Sequence, residues 1–276
     1  MPELPEVEGV RRRLQPVMRG ARIDRVELRR ANLRRPFPAD FVRRLEGRRV
    51  RAVDRRGKYL LAELDSGETL LMHLGMSGSF RIDRRRPGRG TPRIEPPDRH
   101  DHVVFTLSNG AVVTFNDPRR FGVMDMIGGP RAGHQAFDAM GPEPLGAAFD
   151  AAALAAACAG KRVALKVALL DQRIVAGLGN IYASEALHVA HLSPLRRAST
   201  IATATGRPRP HAVRLAEAIK TVLREAIARK ASYGGEGRFR VYEHEGEPCR
   251  TRGCRGTIRR ITQAGRSTFY CPVCQR

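Results

Sequence analysis

Tyr59-Leu60-Leu61-Ala62-Glu63-Leu64-Asp65-Ser66-Gly67-Glu68-Thr69-Leu70-Leu71-Met72-His73-Leu74 reads as a β-hairpin and sets the architecture of the first half of the chain. Its two apolar runs, Tyr59 to Leu64 and Thr69 to Leu74, are each of strand length. Between them Asp65-Ser66-Gly67 is turn chemistry, since Gly reaches positive φ without strain and Asp and Ser bond their own backbone. The pattern repeats downstream, where Ser108-Asn109-Gly110 separates Val103–Leu107 from Ala111–Phe115, and Arg48 to Val53 adds a strand upstream. From about Ala21 to Ile127 the signal is strand-like, which predicts an all-β unit, a sandwich.

Outward from this unit the period changes. On the N-terminal side Val7, Val10, Leu14 and Val17 recur at helical spacing, with Gly20 as a stop. Pro16 predicts that the last turn of this helix is kinked or absent. Arg84 to Arg99 is basic and rich in Pro and Gly, a surface loop. Gly128-Gly129-Pro130 and Gly141-Pro142-Glu143-Pro144 break the pattern, and the interdomain linker falls between them. Helical pattern then runs from about Asp150 to Lys230, including a long segment from Ala212 through Ala228, and Gly234-Gly235 ends it. The expected organisation is α+β and multidomain: a helix with a β-sandwich in 1–131, a linker in 132–149, a helical domain in 150–236 and a hairpin unit in 237–276.

Charge narrows the choice of partner. The 276 residues carry 50 Lys+Arg against 28 Asp+Glu, a formal net charge of +22. A polyanion is the expected partner, and nucleic acid is favoured over a membrane because no apolar run approaches a spanning length. The absence of a charged, apolar, small-residue leader predicts a cytoplasmic protein. Charge alone fits a ribosomal or nucleoid protein equally well.

Four of the five cysteines crowd into the last 28 residues, while Cys158 stands in an alanine-rich stretch as a small buried filler. Cys249-x4-Cys254 and Cys271-x2-Cys274 form two knuckles with sixteen residues between them, enough for a two-stranded hairpin carrying a four-thiolate zinc site in a reducing compartment. Spacing leaves iron open as the metal. With four protein ligands no position remains for chemistry, so the site is structural.

The chemistry is expected at the N-terminus, Met1-Pro2-Glu3-Leu4-Pro5-Glu6-Val7-Glu8. Removal of Met1 would leave Pro2 as a free secondary amine, and an ordinary α-amino group has a pKa of roughly 7.7 to 8.0, so part of it is neutral near pH 7. Such an amine forms Schiff bases with carbonyl-like carbons, and Glu3 and Glu6 stand beside it as proton carriers. An ordinary helix start explains the same residues, with Pro5 in the first turn and Glu6 and Glu8 at the positive end of the dipole.

These eight residues are similar to the start of the formamidopyrimidine-DNA glycosylases, bacterial repair enzymes that excise oxidised purines and nick the strand. The resemblance continues through HLGMSG (73–78), NDPRRFG (116–122), VAGLGNIYASEAL (175–187) and GRSTFYCPVCQ (265–275). It implies a bifunctional glycosylase and abasic-site lyase acting on double-stranded DNA, with one structural Zn2+ and a helix-two-turn-helix domain. Pro2 would attack the sugar, Glu3 would protonate its ring oxygen, and Glu6 would order the amine and water. Lys58, in Arg56-Gly57-Lys58-Tyr59, and Arg266, at the tip of the zinc hairpin, would move protons during elimination. Met76, Arg119 and Phe121 would fill the hole left by a flipped nucleotide, a need that any base-flipping enzyme has.

The resemblance also places His100, Lys161 and Asn180 on phosphates. Read without it, Lys58 is a solvated turn lysine, Lys161 lies on a solvated helix face, Arg266 is a solvated tip, and Met76, Arg119 and Phe121 are core or loop residues. His100 and His102 have metal-pair spacing only loosely. Gly177 and Gly179 permit a tight turn between helices, Asn180 can cap the helix that follows, and the backbone donors there suit a phosphate. The x4 spacing of the first knuckle departs from the family's usual x2, so its turn must bulge. Ser232 to Arg238 is shorter than the family's segment over the extruded base, so less cover of the lesion is expected. Two rivals remain. Related enzymes remove oxidised pyrimidines, but their usual start has glycine where this chain has Leu4, and the Met76, Arg119 and Phe121 set also favours the purine branch. A non-enzymatic zinc-ribbon DNA-binding protein needs only the charge and the cysteines.

Overall fold

The computed structural model describes residues 2–84, 98–129, 134–229 and 239–276. Met1, all but the ends of the loop expected over Arg84–Arg99, and the Ser232–Arg238 segment with its Gly234-Gly235 stop lie outside the described residues. The chain forms two compact units, one of Pro2 and Glu6–Asp138, the other of Glu3–Pro5 and Ala139–Arg276.

In the first unit, helix α1 (Leu4–Met18) lays Val7, Val10, Leu14 and Val17 into the core. It runs through Pro16 to Met18, so of the two outcomes expected from that proline, a kinked or an absent last turn, the absent one does not occur. Proline withholds one ladder N–H. Burial of Val17 and Met18, at 3% and 1% exposure, offsets that loss. The helix end is closed from outside, since Asn109 of the Ser108-Asn109-Gly110 turn donates its side-chain amide to the Val17 carbonyl at 2.8 Å.

Among the described residues of this unit, eight strands form two antiparallel sheets. One has the order β1 (Ile23–Leu28), β6 (Asp101–Leu107), β7 (Ala111–Asn116), β5 (Ser79–Arg84). The other has β2 (Val50–Arg56), β3 (Tyr59–Leu64), β4 (Thr69–His73), β8 (Val123–Ile127). Ile23, Phe105 and Val113 of the first and Val53, Leu60 and Leu70 of the second join α1 in a single core, as a sandwich requires. Strands β3 and β4 read as continuous apolar runs because both faces are covered. Leu60 and Leu70 face the main core, whereas Leu61 and Leu71 pack with Ile127 and Phe137 on the back. Strands β1, β5 and β8 fall inside the strand-like span without a distinct apolar run of their own, and the short helix α2 (Phe41–Leu45) interrupts that span. In β1 a register shift between Ile23 and Arg25 breaks the alternation that would reveal it.

The second unit is helical around Leu154, Leu165, Leu178, Tyr182 and Leu215. Helix α3 (Ala151–Cys158) starts at Asp150, whose carboxylate accepts from the Ala153 N–H at 2.8 Å. Then come α4 (Leu165–Leu169), α5 (Asn180–Val189), a 3-10 turn (Ala198–Ile201) and α6 (Pro210–Ala228), with Pro210 in its first turn. Strands β9 (Arg259–Gln263) and β10 (Arg266–Tyr270) form a hairpin turned by Ala264 and Gly265, both at positive φ. The chain end ties this hairpin to the helices, as Arg276 O accepts from Ser193 N–H at 3.1 Å and Gln275 Nε2 donates to Leu192 O at 3.0 Å.

Candidate active site

In the second unit the centre of the site is the N-terminus of α5. The Ile181 and Tyr182 N–H groups donate to the two carboxylate oxygens of Glu3, at 2.9 and 3.3 Å, and Glu3 is 2% exposed. The Leu4 N–H donates to Gly177 O at 3.2 Å, fixing the first residues of the chain in the same place. The two orphan donors and the positive end of the helix thus meet a carboxylate. This corrects two expectations. Those backbone donors face Glu3 and not a phosphate, and Asn180 does not cap α5. The N-cap position is Gly179, where an added Cβ would lie 2.3 Å from Glu3 Cδ, so a side chain there would displace the carboxylate.

Asn180 is turned to the hairpin. Its Nδ2 donates to Ser267 O at 2.9 Å, and its Oδ1 accepts from Lys166 Nζ. Lys166 is fully buried and also donates to Thr268 Oγ1 at 2.7 Å and Ser267 O at 3.1 Å. Burial, reinforced by the charge of Arg266 and opposed by that of Glu3, pulls this ammonium down to about 8. Sequence reasoning passed over Lys166, since nothing in Leu165-Lys166-Val167 distinguishes a buried lysine from a solvated one. Arg266, the first residue of β10, is exposed at the hairpin tip as expected. Lys161 lies in the turn after α3, half-buried, and not on a helix face.

Turns of the sandwich carry the remaining candidates. Lys58 is the second residue of the two-residue β2–β3 turn, after Gly57 at φ +56, and not yet in the strand. Glu6 stands half-buried in the first turn of α1. Glu8, at 9% exposure, is engaged by Arg11 and Arg12, each at 2.9 Å. Burial raises its carboxyl, but those hydrogen bonds and the charges of Arg11 and Arg55 hold it below the usual range. Met76 and Phe121 are exposed at 38% and 40%, which removes the core reading for both, and the Arg119 guanidinium lies 4.8 Å from the Phe121 ring centre. His100 accepts from Arg99 Nε at 2.9 Å. His102 is buried and donates Nε2–H to Asp117 O at 2.9 Å, so it is engaged structurally and does not pair with His100 as a ligand.

Cys249, Cys254, Cys271 and Cys274 form the metal-capable cluster of the described residues, with their sulfurs all within 4.8 Å of one another. Zn–S bonds of about 2.3 Å in a tetrahedron set sulfurs about 3.8 Å apart. Cys249 and Cys274 are 3.7 Å apart and Cys254 and Cys271 3.6 Å, so the set fits one structural zinc. The long first knuckle is closed by a Cys249 N–H bond to Gly256 O at 2.8 Å, and Gly256 N–H donates to Cys254 Sγ at 3.4 Å.

Three family matches tile the sequence: the formamidopyrimidine-DNA glycosylase N-terminal domain over residues 1–124, the H2TH domain of the same enzymes over 140–235, and a zinc finger found in FPG and IleRS over 246–276. A formamidopyrimidine-DNA glycosylase of Afipia carboxidovorans is 57% identical, with both chains covered in full. Among solved structures, the Lactococcus lactis formamidopyrimidine-DNA glycosylase bound non-covalently to DNA with an abasic site matches at 30% identity and a TM-score of 0.86, covering all of both chains. The same Lactococcus enzyme bound to DNA containing FAPY-dG matches at 29% identity and a TM-score of 0.83, over 99% of this chain and 100% of that one.

Proposed function

The chain belongs to the formamidopyrimidine-DNA glycosylase family, and on that premise we propose that the nitrogen of Pro2 is the nucleophile of its reaction. The activity is base excision: oxidised purines are removed from DNA and the strand is cut at the resulting abasic site. With Met1 removed, the neutral amine attacks C1′ of the damaged nucleotide, the N-glycosidic bond breaks, and the base departs with its electron pair. Glu3 takes up the proton that the attacking nitrogen releases and gives it to the ring oxygen, the sugar opens, and a Pro2 iminium forms. The iminium acidifies the neighbouring C–H. Loss of that proton expels the 3′ phosphate, a second elimination expels the 5′ phosphate, and water releases Pro2 from the sugar fragment. Lys58 and Arg266 carry protons in the eliminations, and Glu6 orders amine and water.

The observation that carries this reading is the seat of Glu3. A carboxylate directly after the amine is held by two main-chain donors and excluded from bulk water, as a proton carrier must be to act at one atom. Met76, Arg119 and Phe121 serve as the wedge, and their exposure on sandwich turns supports it. His100, Lys161 and Asn180 bind phosphates. No helix among the described residues is long and apolar enough to cross a membrane, and we place the enzyme with the DNA in the bacterial cytoplasm, as a monomer. Excision measured on duplexes carrying a single formamidopyrimidine, 8-oxoguanine or oxidised pyrimidine tests the reading. Purine lesions should be converted to a one-nucleotide gap with phosphate at both ends. Activity confined to pyrimidine lesions overturns the substrate, and binding without cleavage supports the zinc-ribbon alternative.

A further inference from the structure

The two wedge-bearing turns, residues 74–78 between β4 and β5 and residues 117–122 between β7 and β8, are far apart in sequence. Each is closed by a backbone bond of its own, Gly78 N–H to Leu74 O at 2.8 Å and Arg120 N–H to Asp117 O at 3.1 Å. They are also joined to each other through a carboxylate with no solvent exposure. Asp117 Oδ1 accepts from Ser77 Oγ at 2.6 Å, and Asp117 Oδ2 accepts from the Gly122 N–H at 2.7 Å. Ser77 Oγ accepts in turn from the Arg119 N–H at 3.2 Å. The main chains touch as well, because a Cβ on Gly75, which has φ +62, would lie 2.3 Å from the Phe121 carbonyl carbon.

None of the Ser77 bonds is needed to close either turn. What they fix is the position of one turn relative to the other. A carboxylate with no exposure is costly unless its oxygens are bonded, and bonds to an ionised acceptor are short and strong, so this link resists being pulled open. We propose that Ser77 and Asp117 are positioning residues that lock the Met76 turn and the Arg119–Phe121 turn into one rigid wedge. An apolar side chain pressed into a base stack is pushed back by restacking. Two separate turns would yield one after the other, whereas a joined pair holds the opening until the nucleotide has left. The inference rests on the wedge assignment above and gives Ser77 and Asp117 a role that requires no contact with DNA or with the reacting atoms.

Ser77→Ala removes one hydroxyl, Ser77→Thr keeps it, and Asp117→Asn keeps the shape while changing the acceptor. Met76→Ala truncates the wedge directly. The measurement is single-turnover excision of an oxidised purine from duplex DNA, set against cleavage of a preformed abasic site in single-stranded DNA, where there is no stack to open. Ser77→Ala should slow excision about 10-fold and leave abasic cleavage within about twofold, Ser77→Thr should restore excision, and Asp117→Asn should follow Ser77→Ala. In the Ser77→Ala background, Met76→Ala should cost less than in the parent, because an unlocked wedge has less to lose. Equal slowing of both reactions by Ser77→Ala, or additive effects with Met76→Ala, overturns the latch while leaving the wedge. If Met76→Ala alone leaves excision unchanged, the wedge assignment itself fails and the latch fails with it.

Discussion

Gly179 and Lys166 are where single residues decide the most. A methyl group at Gly179 would lie 2.3 Å from Glu3 Cδ, and the backbone there is extended and unstrained, so Gly179→Ala acts only by moving the carboxylate. Excision should fall by about 100-fold or more, the scale of a misplaced proton carrier, with lesion-DNA affinity held. Affinity and rate falling together would contradict this. Lys166 makes a pH prediction whose sign follows from burial. Below about pH 8 the folded and unfolded chains both hold the proton, and between about 8 and the ordinary 10.5 the folded chain has released it first. The unfolded state then binds more protons, so this site's contribution to stability rises with pH through that window. The melting-temperature difference between parent and Lys166→Met should shift in the parent's favour from pH 8 to pH 10, and a difference independent of pH contradicts the assignment. Neither role was legible in the sequence, which marks Gly179 only as a turn glycine. Glu3 meets main-chain donors 178 and 179 positions away, and an N–H carries no residue identity. A lysine's burial depends on partners that assemble only in the fold.

At the scale of the element, patterns confined to a few neighbouring residues were readable. The Asp65-Ser66-Gly67 and Ser108-Asn109-Gly110 turns and the four cysteines identified hairpins and a metal site because φ preference and ligand chemistry are properties of single residues. Strands β1 and β5 escaped because arginine and aspartate interrupt their apolar positions and, in β1, the register shifts. The start of α5 suits a phosphate on sequence grounds because its donors are generic, and only the fold shows that Glu3 occupies them. The zinc hairpin carries its own test. A Cβ on Gly256 would lie 2.5 Å from Cys271 Sγ, so Gly256→Ala should lower zinc affinity about 10- to 100-fold, the range seen for groups behind the ligands. Competition with a chelator reads this directly. Metal loss should weaken DNA binding through β9 and β10 while the sandwich keeps its melting transition, and unchanged DNA affinity after verified metal loss would contradict that role.

For the whole molecule, charge sets the terms of binding. With a formal +22, affinity for DNA should fall steeply with salt as released counterions are counted, and a flat dependence between 50 and 200 mM would contradict a phosphate-dominated interface. The cations are nearly all arginine. Of 50 Lys+Arg only Lys58, Lys161, Lys166, Lys220 and Lys230 are lysines, so few side-chain amines can compete with Pro2 for an abasic aldehyde. That scarcity sharpens the most direct measurement, in which enzyme turning over abasic DNA is reduced with borohydride and the adduct is mapped by peptide mass spectrometry. The sugar is predicted on the nitrogen of Pro2 in chains that have lost Met1. An adduct on any of the five lysines, or none in a preparation that cleaves, would contradict the account.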